Sequence, residues 1–135
     1  MATLFTRIIE GEIPCYKVYE DDDVFAFLDI GPLAPGHTLV IPKLPIERLE
    51  DLPEDVAAAI GRVLPRIGRA VLRASGASDY HVVQKNGASA GQVVPHVHFH
   101  VIPKLPEAGL SMTWNAGKLS QQDGDAMRAR IMEHL

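Results

Sequence analysis

The spacing of apolar residues predicts an α+β fold: an antiparallel sheet of about five strands, one long helix and a short C-terminal helix. Three observations carry this. Five short segments rich in Val, Ile, Phe and Tyr are bounded by Pro, Gly or Asp. One long segment repeats apolar residues at helical three-and-four spacing. The strand-like segments are mostly joined by short turns, which argues against repeated strand–helix–strand units.

Residues 4–10 place Phe5, Ile8 and Ile9 on one side of a short helix. Residues 15–20 and 24–30 read as a hairpin across the acidic turn Asp21-Asp22-Asp23. A third strand, residues 37–41, is stopped by Pro42. In residues 53–74, Val56, Ile60, Val63, Leu64, Ile67, Val71 and Leu72 form one buried helical stripe. Pro53 suits the first turn, Glu54 and Asp55 its dipole, and Gly76 the stop. Pro65 removes a backbone bond and predicts a bend or split there. Residues 80–85 and 96–102 read as strands flanking the Gly/Ala/Ser loop 86–91. Ser120 with Asp123 resembles a capping box for a last helix to about residue 134, weakened by Gly124.

The segment Val40-Ile41-Pro42-Lys43-Leu44-Pro45 recurs as Val101-Ile102-Pro103-Lys104-Leu105-Pro106, with His37 aligned on His98. The similarity ends there. It reads as two neighbouring strands leaving the sheet in the same way, each stopped by its proline.

The 135 residues suit one domain, 1–135. With 47% hydrophobic and 22% charged residues, the chain is neither disordered nor fibrous. A net charge of −4 lacks the basic footprint of a nucleic-acid binder. A lone Cys15 closes no intrachain disulfide. No apolar run is long enough to span a membrane, and Arg7 and Glu10 interrupt any signal-like stretch. The expectation is a soluble cytoplasmic protein.

Three of the six His lie at 96, 98 and 100. On a strand, alternate side chains share a face, so the three imidazoles stand opposite Val97, Phe99 and Val101. Hydrogen-bonded surface His is the bland explanation. One functional reading is a metal site, since neutral imidazole is a common ligand. The other is nucleophilic catalysis: a His attacks phosphorus through one ring nitrogen while the other is held as N–H.

The chain resembles the histidine triad proteins, whose signature is His-x-His-x-His followed by two apolar residues, here His96 to Ile102. The likeness extends to Ile8-Ile9-Glu10-Gly11-Glu12-Ile13-Pro14, Phe27-Leu28-Asp29-Ile30, the segment from Pro35 to Lys43, Asn86-Gly87 and Ala90-Gly91-Gln92. It is nearer the Hint-like branch, which hydrolyses nucleoside phosphoramidates, than the dinucleotide-cleaving Fhit-like branch. The resemblance implies that His98 is the nucleophile, forming a nucleotidyl-histidine later hydrolysed by water. The carbonyl of His96 fixes its tautomer, His100 contacts the phosphate, and His37 is the family's fourth histidine. Asn86 and Gln92 resemble amides that bind phosphate oxygens or the bridging atom. Asp29 matches the ribose-binding carboxylate, and Phe5, Ile8, Phe27, Ile30 and Leu39 match the slot for a purine. A homodimer joined across the long helix and a neighbouring strand is also implied, with no metal or other cofactor.

For Asp29, a turn or cap before Gly31-Pro32 is an equally physical role, as core packing is for Phe5, Ile8 and Phe27. His81 and His134 fall outside every motif. Two departures from the family stand out. Many bacterial members bind structural zinc through a Cys-x-x-Cys pair, a later His and the first triad histidine. The first three positions here read Thr3, Thr6 and Pro45, so no structural zinc is expected. Val93 replaces the usual Ser or Thr near the phosphate. The reading is a purine nucleotide hydrolase acting on an amine-type leaving group. A dinucleoside polyphosphate hydrolase, a nucleotide-binding regulator with little turnover, a metal-binding protein and a DNA-end enzyme are the alternatives, the last disfavoured by the −4 charge.

Overall fold

A computed structural model describes residues 2–135. Helix α1 (Leu4–Ile9) begins where the side chains of Thr3 and Thr6 form a reciprocal capping box. Strands β1 (Lys17–Glu20) and β2 (Val24–Leu28) form the expected hairpin. Its acidic turn is built by Asp21, whose Oδ1 accepts the backbone N–H groups of Asp23 and Val24, each at 2.8 Å. Strand β3 (Thr38–Pro42), helix α2 (Glu54–Ser75), strands β4 (Asp79–Gln84) and β5 (Phe99–Lys104), and helix α3 (Gln121–Glu133) follow. Every sheet pairing is antiparallel, in the order β1-β2-β3-β5-β4.

Alternation sorts each inner strand onto two faces. Val24, Ala26, Val40 and Val101 pack against Ala59, Ile60, Val63, Ile67 and Val71 of α2. Phe25, Phe27, Leu39 and Ile41 turn to the opposite face, where Phe5 and Ile8 of α1 cover them. The long helix and the short one therefore sit on opposite sides of one sheet. Helix α3 is capped by the Ser120 side chain, which accepts the N–H of Asp123 at 3.1 Å, and none of its residues is buried. No helix among the described residues is long and apolar enough to cross a membrane.

Three expectations need correction. Helix α2 is one unbroken 22-residue helix despite Pro65. Pro65 lies on the exposed side, and the carbonyl it frees belongs to exposed Gly61, open to solvent. Pro42 is the last residue of β3, which stops there as expected, whereas Pro103 lies inside β5, one residue before its end at Lys104. Both stand beyond the β3–β5 pairs, which run only from Thr38↔Val101 to Val40↔Phe99, so neither proline interrupts that ladder. Because β3 and β5 are antiparallel, the repeated segments also leave the sheet at opposite ends. Finally, β5 starts at Phe99, not residue 96, because the N–H of Val97 bonds to the carbonyl of Ile46 in the loop after β3.

Candidate active site

The late start of β5 splits the triad: His96 and His98 lie in the approach to the strand, and His100 within it. The three still gather on the α1 face. The Phe5 ring meets His96 and His98 edge-on, with centroids 5.8 and 5.0 Å away, and His98 lies 5.1 Å from His100.

Each ring has a defined hydrogen-bond role. His96 is fully buried, and its Nε2–H donates to the Pro42 carbonyl at 2.8 Å. Its Nδ1 faces the Thr3 hydroxyl at 3.4 Å. Thr3 and Thr6, where the resemblance would place thiolates in a zinc-binding relative, spend their hydroxyls on capping α1, and that of Thr3 also meets His96. His98 donates its Nδ1–H to the carbonyl of His96 at 2.7 Å. That carbonyl can only accept, so the Nε2 lone pair of neutral His98 is free.

His37 extends the argument to His100. The backbone N–H of Leu33 donates to His37 Nδ1 at 3.1 Å, leaving the His37 proton on Nε2. Nε2–H then donates to His100 Nδ1 at 2.9 Å. His100 must accept there, so its own proton resides on Nε2, across the ring from His37. Asp29 closes the cluster, with Oδ2 at 3.4 Å from His37 Nε2 and 4.0 Å from His100 Nδ1. Among the described residues, Asp29, His37 and His100 form a group with metal-ligand spacing, their donor atoms within 4.8 Å. Binding an ion there would require His37 to surrender its Nε2 proton or its Leu33 bond. The donor set suits hydrogen bonding better than coordination.

Burial holds all four rings below the ordinary imidazole range. Asp29 opposes the shift at His37, and the Pro42 and His96 carbonyls oppose it at His96 and His98. His100 is pushed down to about 4 by burial and then by repulsion from His98 and His37. The cluster is neutral at pH 7: a lone pair at His98 Nε2 beside a donor at His100 Nε2.

His98 and His100, but not His37 or His96, line a cavity of about 330 Å³, within the size range of small-molecule sites. Phe5, Ile8, Phe27 and Leu39 line it from the buried side, as the resemblance implies, and Ile30 lines it from the rim, 87% exposed. Asp29 makes the turn expected of it, its Oδ1 accepting the Gly31 N–H at 2.8 Å, and also faces the cavity.

Asn86 and Gln92 do not line the cavity. Asn86 Oδ1 accepts the Leu49 N–H at 2.9 Å, and its amide also pairs with Gln84. Gln92 accepts the Gly87 N–H at 2.7 Å and donates to the carbonyls of Glu47 and Val94. Backbone partners fix that orientation, and both amides brace loop 86–94 against the chain after β3. Lys85 does line the cavity, although its sequence context marks it only as a strand end. His81 lies in β4, with Nδ1 buried and without a hydrogen-bond partner, and His134 is the exposed C-cap of α3.

A fold of this topology with a buried, tautomer-locked histidine cluster defines a class of small proteins built around a histidine triad. Residues 10–107 match the family model of the HIT domain, and the chain belongs to that family. It is 40% identical over 136 residues to the adenosine 5′-monophosphoramidase hnt1 of Schizosaccharomyces pombe, covering 100% of this chain and 99% of that protein. It is 46% identical over 101 residues to the adenylylsulfatase HINT3 of Arabidopsis thaliana, 75% of this chain but only 51% of that protein. A crystal structure of a HIT family member from Bacillus subtilis superposes with a TM-score of 0.95 at 35% identity, covering 100% of this chain and 98% of that one.

Proposed function

We propose that this chain is a HIT-family nucleotide hydrolase that cleaves the bond between the α-phosphate of a purine nucleoside monophosphate and an amine-type leaving group. The observation that carries this is His98: neutral, held at Nδ1 by the His96 carbonyl, with its Nε2 lone pair free. Relatives named adenosine 5′-monophosphoramidase and adenylylsulfatase support an adenylyl substrate.

The base occupies the slot of Phe5, Ile8, Phe27, Ile30 and Leu39, and the ribose hydroxyls donate to Asp29. The His98 Nε2 lone pair attacks phosphorus. The P–N bond breaks, its electron pair stays on the amine nitrogen, and that nitrogen takes a proton from solvent. The nucleotidyl-imidazolium is stabilised through Nδ1–H by the His96 carbonyl. Water then attacks phosphorus, the P–Nε2 bond breaks, and its electron pair returns to His98. A proton from the water passes to solvent, so one water is consumed for one AMP and one amine. His100 Nε2–H donates to a phosphate oxygen throughout, preorganised by His37. The protein works as a homodimer joined across α2 and β4, supported by the free edge of β4 with Tyr80 and Val82 exposed; sedimentation as a monomer would contradict this.

The test is AMP release from adenosine 5′-phosphoramidate. Wild type releases AMP and carries a nucleotidyl adduct in a brief-mixing intact-mass measurement. His98→Asn loses at least about a thousandfold in rate and carries no adduct. Undiminished release by His98→Asn overturns the mechanism.

A further inference from the structure

Beyond that reading, and resting on it, we propose that Lys85 selects the leaving group, favouring substrates whose departing amine carries a negatively charged group such as a carboxylate. The β4–β5 register pairs Val83 with His100 and Gln84 with Phe99. Lys85 and His98 are the residues that flank this last pair, just beyond the ends of β4 and β5. Lys85 lines the cavity with His98 and His100, and among the described residues the only other charged one lining it is Asp29. An anionic group on the substrate is repelled by Asp29 and attracted toward Lys85. The ribose reading places the nucleoside at Asp29, so the leaving group falls to the Lys85 end. There the site is open, with Val93 89% exposed on the same rim.

Two features make Lys85 available for this task. None of the ion pairs among the described residues includes it, whereas Lys17 and Lys43 both pair with Glu20. Its stem also lies over Gly91, which has φ +90°: a Cβ there would stand 3.2 Å from Lys85 Cδ and 3.3 Å from Nζ. Glycine at 91 thus supplies the left-handed turn and the room for the ammonium to lie along the loop. Its charge reaches the catalytic rings, helping to hold His98 and His100 neutral.

The test uses AMP joined through a P–N bond to β-alanine and to β-alanine amide, which differ in one carboxylate. Values of kcat/KM are compared for wild type, Lys85→Gln and Lys85→Glu. Any effect of Lys85 on His98 or His100 is common to both compounds and cancels in the ratio. Wild type favours the carboxylate compound about fivefold, equivalent to about 1 kcal/mol. The ratio falls to about one in Lys85→Gln, inverts in Lys85→Glu, and shrinks in high salt. A wild-type ratio near one, or a fivefold ratio that survives in Lys85→Gln, overturns the inference. Equal slowing of both compounds in Lys85→Gln also overturns it, by assigning the ammonium to the shared phosphate. Release from neither compound by wild type overturns the hydrolase reading itself and this inference with it.

Discussion

Acidification offers a direct measure of how strongly the fold demands neutral histidines. In an unfolded chain an imidazole titrates near 6.5, whereas folded His100 titrates at about 4. Between those values the unfolded chain binds a proton that the folded chain refuses, so stability falls as the pH drops. The contribution is fully present above pH 6.5 and is lost on the way down to 4. Integrated from pH 7 to pH 5, His100 alone costs about 2 kcal/mol. Its side chain is only 18% exposed, so solvent screens little of this. The assay is urea unfolding at a series of pH values for wild type and His100→Gln. Circular dichroism of α2 is the better probe, because the single Trp, Trp114, is 80% exposed and senses little of the core. Wild type loses about 2 kcal/mol more than the variant between pH 7 and pH 5. His37, His96 and His98 are also held neutral by burial, so the variant keeps part of the acid sensitivity. Parallel pH curves for the two proteins, or an NMR titration placing His100 near 6.5, would refute the reasoning.

Two further outcomes follow from the same cluster. His37→Ala removes the donor to His100 Nδ1 and lowers kcat about tenfold, the worth of one hydrogen bond of about 1.4 kcal/mol. Nitrogen-15 shifts then show His100 in mixed tautomers, and an unchanged nitrogen pattern sinks the relay from Leu33 through His37. Asp29→Asn replaces one carboxylate oxygen with a donor facing the ribose, raising KM for adenosine phosphoramidate about tenfold while a 2′,3′-dideoxy analogue is little affected. Equal discrimination between the two compounds by wild type and variant counts against ribose binding at Asp29.

Much of the fold was legible because its signals are local. The three-and-four spacing from Val56 to Leu72 identifies α2, and the Val-, Ile- and Phe-rich runs through residues 24–28 and 38–41 identify strands. Asp21-Asp22-Asp23 announces the hairpin, and Ser120 with Asp123 the start of α3. The errors arose where a local rule met a distant partner. Pro65 sits on the solvent-exposed side of α2, away from the sheet, and the bond from Val97 to the Ile46 carbonyl delays β5 past two of the three triad histidines.

By itself, the sequence determined which residues alternate, where the helix stripe runs, and that three imidazoles gather on one side of a sheet. Those are short-range periodicities, set by the 3.6-residue turn and the two-residue pleat. Only the tertiary structure decided what each polar side chain faces. It turned Asn86 and Gln92 toward the backbone of the chain after β3, and it brought His37 within 2.9 Å of His100 across 63 residues. It also brought Lys85 and His98, beyond the last β4–β5 pair, to the lining of one cavity. Hydrogen-bond partners and strand register depend on where remote segments pack, and no window along the chain contains both sides of those contacts.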